Sequence, residues 1–268
     1  VKTGLLRVMS IAHFLLLTVA GAGAGLTGSV AGLASLVSYP ALLAFGLTPL
    51  AANVTNTLGL LSNGPGSAAG AREELRGHGR RLVTLSAWAG VGGALGAGLL
   101  LWGSSATFEL VVPWLIALGS VLLLARDPLR GWLDRRRLVE AEAAATRKPS
   151  WGRRVPVLLV GIYGGYFGAG AGIIMLAVLS LETLEPLPVS NAVKNVTMTA
   201  ANLIAAVIFA FESPVDWPAA AAIAIGVLFG SWCGPAVVRV VPDRPLRYVI
   251  AVAGFGLAVA LFVGWSGG

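Results

Sequence analysis

The sequence predicts an all-α polytopic membrane protein of two inverted five-segment repeats, with Gly-rich broken helices or re-entrant hairpins meeting at the midplane. Three observations predict this. First, 56% of the 268 residues are hydrophobic and only 12% charged, with mean hydropathy +0.83, too few charges to solvate the surface of a soluble domain. Second, the chain repeats itself. Gly21, Gly25, Gly28, Ala31 and Gly32 recur as Gly161, Gly165, Gly168, Ala171 and Gly172, and Pro49, Val54, Asn56 and Asn63 recur as Pro188, Val193, Asn195 and Asn202. Third, equivalent loops of the two copies carry opposite charge patterns.

Taken in order, the apolar segments of the first copy run from Leu5 to Ala24, Leu26 to Leu47, Leu50 to Ala71, Leu82 to Trp102 and Phe108 to Ala125. Those of the second run from Val155 to Gly168, Ala169 to Leu181, Val189 to Phe211, Trp217 to Val238 and Leu246 to Trp265. Most reach the roughly 20 residues that cross a bilayer, but Val155 to Gly168 and Ala169 to Leu181 do not. These two are expected as tilted half-helices or a re-entrant hairpin, which requires burial in protein or a cavity wall. The chain thus divides into a first repeat at 1–125, a basic linker at 126–154 and a second repeat at 155–268.

An odd number of segments per copy forces opposite orientations, and the loops agree. Arg72, Arg76, Arg80 and Arg81 make one loop basic, whereas its counterpart from Glu212 to Asp216 holds acid and no base. In the next pair Gly103 to Glu109 has no Lys or Arg, while Arg239 to Arg247 has three Arg. Positive loops face the cytoplasm, so each pair is split between faces. The linker, with nine Lys or Arg against four Asp or Glu, is placed in the cytoplasm by the same rule. Within it, Trp132 to Trp151 is read as a solvated connector, with an amphipathic helix on the anionic leaflet as the alternative. Trp102, Trp217 and Trp265 then anchor the outer interface. Lys2 and Arg7 pull the other way. A cleavable leader is the competing reading of the start, but its removal would strip the first copy of its partner to Val155–Gly168.

The glycine-rich hairpins, Pro-led Asn-bearing helices and basic linker resemble the TauE/SafE family of sulfite exporters, from about Ile11 to Trp265. The positions that carry the resemblance are Gly25, Gly28 and Gly32 with Pro49, Asn56 and Asn63, then Gly165, Gly168 and Gly172 with Pro188, Asn195 and Asn202. Val30 stands where the second copy has Gly170. The resemblance implies a multi-pass cell-membrane transporter, with a bacterial inner membrane as its expected home. Its cargo would be sulfite, an organosulfonate or a similar small anion, moved with a coupling ion, proton or sodium. An anion channel of the same architecture is the alternative.

Physical chemistry supplies a role for these residues. A helix broken within the membrane presents unsatisfied N–H groups and the positive end of its dipole, and glycine lets that backbone approach an anion closely. Gly25, Gly28, Gly165 and Gly168 are therefore expected at the substrate, against the competing reading that such glycines serve helix packing. Asn56, Asn63, Asn195 and Asn202 return to one helix face at seven-residue spacing, and Asn191, Asn195, Thr199 and Asn202 extend it to a polar stripe. Each contacts ligand or makes interhelical hydrogen bonds worth about 1 kcal/mol. Lys194 replaces Thr55 of the first copy and has no acidic residue within a helical turn along the sequence. In a membrane helix it costs roughly 2.5 to 3.5 kcal/mol. It is expected to neutralise the substrate or to snorkel to the interface.

Other classes find little support. The histidines are His13 and His78, so no Ser–His pair suits an intramembrane hydrolase. The single Cys233 excludes an internal disulfide. The net charge of +7 sits mainly in cytoplasmic loops without an aromatic-interleaved groove, so no nucleic-acid partner is expected. The remaining expectations are no enzyme activity, no cofactor, no metal, membrane lipid as surroundings and an oligomeric state that the sequence leaves open.

Overall fold

The computed structural model describes residues 9–125, 127–129, 131–132, 135, 154–182, 185–238 and 243–266. Most of the linker at 126–154 lies outside them, as do Lys2, Arg7 and the start of the loop after Val238. Among the described residues the fold is helical, without strands. The helices are α1 (Ile11–Ala31), α2 (Ala34–Ala44), α3 (Pro49–Gly59), α4 (Asn63–Gly70), α5 (Arg72–Leu75), α6 (Gly79–Trp102) and α7 (Ser105–Leu124). The second copy supplies α8 (Arg154–Tyr166), α9 (Ala171–Glu182), α10 (Leu187–Glu212), α11 (Trp217–Val238) and α12 (Asp243–Ser266). Among the described residues, five stretches are long and apolar enough to cross a membrane: Ile11–Ser29, Gly79–Trp102, Ser105–Leu124, Pro188–Glu212 and Trp217–Gly234.

Local chemistry sets the ends that matter. Ser10 caps α1 by accepting the His13 N–H, and Thr48 caps α3 ahead of Pro49 by accepting that of Ala51. Gly32 ends α1 at φ 73°, donating its N–H to Gly28. Two expectations need correction here. The first two segments do not part between Ala24 and Leu26: α1 continues to Ala31, because only Gly32 takes the left-handed conformation that stops it. The short returning helix is also not peculiar to the second copy, since α2 has 11 residues and α9 has 12.

The third segment differs between copies. It is one helix of 26 residues in α10, but in the first copy α3 passes through a 3-10 turn at Leu60–Ser62 before α4. Pro65 accounts for the interruption, because it cannot donate to the Leu61 carbonyl and its ring crowds it. At the equivalent position α10 has Ile204.

Glycine fixes the packing. Gly21 and Gly25 of α1 lie on the backbone of Ile223 and Val227, while Gly226 and Gly230 of α11 lie on Thr18 and Ala22. The same set joins α8 to α6: Gly161 and Gly165 meet Ala89 and Gly93, and Gly92 and Gly96 meet Leu158 and Ile162. The registers advance together, so α1 and α11 are parallel, as are α6 and α8. An added Cβ at any of these glycines would enter the facing backbone, which is the requirement of close membrane helix contacts. The fifth helices α7 and α12 pack on each other, with Gly254 against Ser120 and Trp114 edge-on to Phe262 at 5.9 Å.

Candidate functional site

The two helix breaks meet. A Cβ on Gly32 would stand 2.6 Å from the Cα of Gly172, its own repeat counterpart, so the hairpins touch where neither has a side chain. Beside this contact lies a cavity of about 50 Å³, room for roughly three or four waters or one small oxyanion. Its walls come from Gly28, Gly32, Ala34 and Ser35 of one hairpin and Gly164, Phe167, Gly168 and Gly172 of the other. Thr57, Leu60 and Asn63 close one side, and Lys194, Asn195, Met198, Thr199 and Asn202 the other.

Both short helices begin at this cavity. Ala34 and Ser35 open α2, whose preceding residue Leu33 provides no side-chain cap, and Gly172 is the second residue of α9. The positive ends of two helix dipoles therefore face one small space. Lys194 adds a basic side chain to the same lining. The residue is 1% exposed and its Nζ donates to Asn191 Oδ1 at 2.8 Å, so it is held within the fold. Among the described lining residues there is no carboxylate. Nor, among the described residues, do three His, Cys, Asp or Glu side chains gather as a metal site.

Of the residues singled out in the sequence, Gly28, Asn63, Gly168, Lys194, Asn195 and Asn202 line the cavity. Gly25 and Gly165 do not: each packs on the backbone of the helix beside it. Asn56 is also elsewhere, buried and hydrogen-bonded to Ser38 of α2. Thr55, the counterpart of Lys194, accepts the Asp216 N–H at 3.0 Å, and Asp216 in turn caps α11 through the Ala219 N–H. Asn63 Oδ1 is buried without a hydrogen bond, an acceptor whose desolvation costs about 1 to 3 kcal/mol unless water or ligand reaches it.

Three asparagines hold the broken helices across the copies. Asn191 and Asn195 of α10 both donate to the Ser29 carbonyl in the last turn of α1, at 2.8 and 3.0 Å. Asn53 of α3 donates to the Tyr166 carbonyl at the end of α8, at 2.9 Å. Carbonyls that the helices leave unpaired at their ends are thereby satisfied. Asn53, Ser35 and Thr57 are not marked by the sequence, because their counterparts are Ala192, Met175 and Val196 and repeat matching selects only shared positions. A search for buried polar residues near the helix breaks would have found them.

The family model described as Sulfite exporter TauE/SafE matches residues 17–261. A curated protein from Sinorhizobium sp, "Probable membrane transporter protein ORF9", is 26% identical over 243 residues, covering 89% of this chain and 88% of that protein. No solved structure matches.

Proposed function

The chain belongs to the sulfite exporter TauE/SafE family and is a multi-pass membrane protein, and from this premise we propose that it is a secondary transporter. Its cargo is a small sulfur-containing or organic anion, such as sulfite or an organosulfonate, carried by alternating access. The observation that carries this reading is that Lys194 lines the same small cavity as the first residues of α2 and α9. Oxyanions are stabilised by backbone N–H groups and a helix dipole, and a charged donor strengthens the bond.

Inverted repeats support alternation around that site. Gly59 of α3 meets Ile223 and Ala220, and Gly66 of α4 meets Leu228 and Ser231, so this segment runs parallel to α11 and α1. The short α5 returns the chain into α6, which therefore opposes α11, and α8 follows α6. The first helices of the two copies then run in opposite directions. Single cysteines at Arg76 and Ser213, in a Cys233→Ala background, are expected to label from opposite membrane faces. Labelling from one face refutes the inversion.

Function is tested by uptake into proteoliposomes of sulfite, sulfate, thiosulfate, organosulfonates and carboxylates under imposed proton and sodium gradients. Concentrative, saturable uptake of one anion class is expected. Gradient-independent flux at channel rates would replace the transporter by the channel.

A further inference from the structure

Lys194 and Ser29 belong to opposite repeats, and one side chain joins them. Asn191 accepts from Lys194 Nζ through Oδ1 at 2.8 Å and donates through Nδ2 to the Ser29 carbonyl at 2.8 Å. Lys194 lines the cavity, and Ser29 lies two residues before the end of α1, beside the cavity residue Gly28. An amide presents its acceptor and donor on one rigid plane, so orienting one bond orients the other. The arrangement has no copy in the first repeat, where Ala52 stands at the position equivalent to Asn191 and Thr55 at that of Lys194.

We infer that Asn191 is a positioning residue of the transport site: it sets the Lys194 ammonium toward the cavity and ties that charge to the end of α1 in the other repeat. This rests on reading the cavity as the anion site. An anion that draws on the ammonium weakens the demand on Asn191 Oδ1, and the effect reaches the Ser29 carbonyl through the same amide. Occupancy of the site is thus linked to a contact between the two halves that must move against each other. A merely structural Asn191 would hold α1 in place and leave the charge indifferent to it.

The test is a double-mutant cycle on the full-length detergent-purified chain, with binding of sulfite, sulfate, thiosulfate and an alkylsulfonate read by calorimetry and folded yield by size exclusion. Asn191→Leu is expected to weaken anion binding five- to twentyfold in wild type and less than twofold in Lys194→Met. Equal losses in both backgrounds overturn the inference. Asn191→Ala removes the same acceptor and donor without added bulk and is expected to give the same two results, so equal losses in both backgrounds overturn the inference with this variant too. The two readings fail separately: if Lys194→Met binds each anion as wild type does, or wild type binds none, the anion site itself is wrong.

Discussion

At equivalent positions of the two Asn-bearing helices, Lys194 and Asn195 face the cavity while Thr55 and Asn56 face other helices. Thr55 fastens the start of α11, and Asn56 fastens α2 through Ser38. The packing around them is nevertheless duplicated residue for residue, as the glycine contacts of α1 on α11 and α8 on α6 demonstrate. Duplication therefore preserved what determines helix spacing and released what determines charge. Backbone-to-backbone contact tolerates no side chain, whereas a polar side chain needs only some partner, and each copy supplies a different one.

The largest effects should fall where the copies agree. Gly226→Val and its counterpart Gly92→Val each push a branched side chain into the backbone of the parallel helix. Overpacking commonly costs about 1 to 3 kcal/mol, and rigid backbone leaves little room to relax. Both variants are expected to lose monodisperse protein in detergent, while Gly98→Val, where an added Cβ would meet nothing within 4 Å, should match wild type. Survival of one but not the other would break the symmetry of the packing.

Charge is where they should differ. Lys194→Gln removes a charged donor, and hydrogen bonds to charged groups contribute about 1.5 to 3 kcal/mol, or roughly ten- to 150-fold in anion affinity. A neutral isostere should lose little, and Lys194→Arg should not restore the site, because a planar fork does not reproduce a compact ammonium. Thr55→Val is expected to lower thermal stability and leave anion affinity unchanged. Equal losses for anionic and neutral ligands in Lys194→Gln would reduce Lys194 to a structural residue.

The asparagines test the same contrast more finely. The sequence treats Asn56 and Asn195 as equivalent cavity groups, but Asn56 lies against Ser38 and Asn195 lines the cavity while donating to Ser29. Asn195→Ala should therefore weaken anion binding, by about 0.5 to 1.5 kcal/mol if one neutral hydrogen bond is lost. Asn56→Ala should instead lower the melting temperature without changing affinity. Binding isotherms and melts of both variants separate these outcomes, and a matched loss of affinity would restore the equivalence.

How far the fold is legible follows from the same division. Membrane class, the segment order and the meeting of the hairpins follow from hydropathy and from glycines repeated at fixed spacing, because few structures tolerate such a pattern. Sequence alone does not tell a cavity glycine from a packing glycine: Gly25 and Gly28 lie on one helix, and only the position of α11 separates their roles. Nor does it show that α1 runs on to Gly32, since four earlier glycines offer the same freedom. Lys194 is conspicuous because it has no match in the first copy. Ser35 and Thr57 lack a match too, but as small polar residues they carry no cost that demands explanation.

The smallest expected difference lies at two ties between the copies. Arg81 of α6 pairs with Glu185 just before α10, and His78 stands 3.5 Å from the same carboxylate. The equivalent helices α11 and α3 are tied by the neutral bond from the Asp216 N–H to Thr55. Arg81 and Glu185 are 20% and 25% exposed, so solvent and salt screen their attraction, and such pairs are worth about 0.2 to 1 kcal/mol. Glu185→Gln should lower the melting temperature slightly at low salt and hardly at all at about 1 M salt, where the screening length falls to roughly 3 Å. Thr55→Val removes a bond that ionic strength does not screen, so its deficit should persist across the same range. A salt-independent loss in Glu185→Gln would mean that the carboxylate holds α10 through fixed hydrogen-bond geometry, making the two ties alike despite their different chemistry.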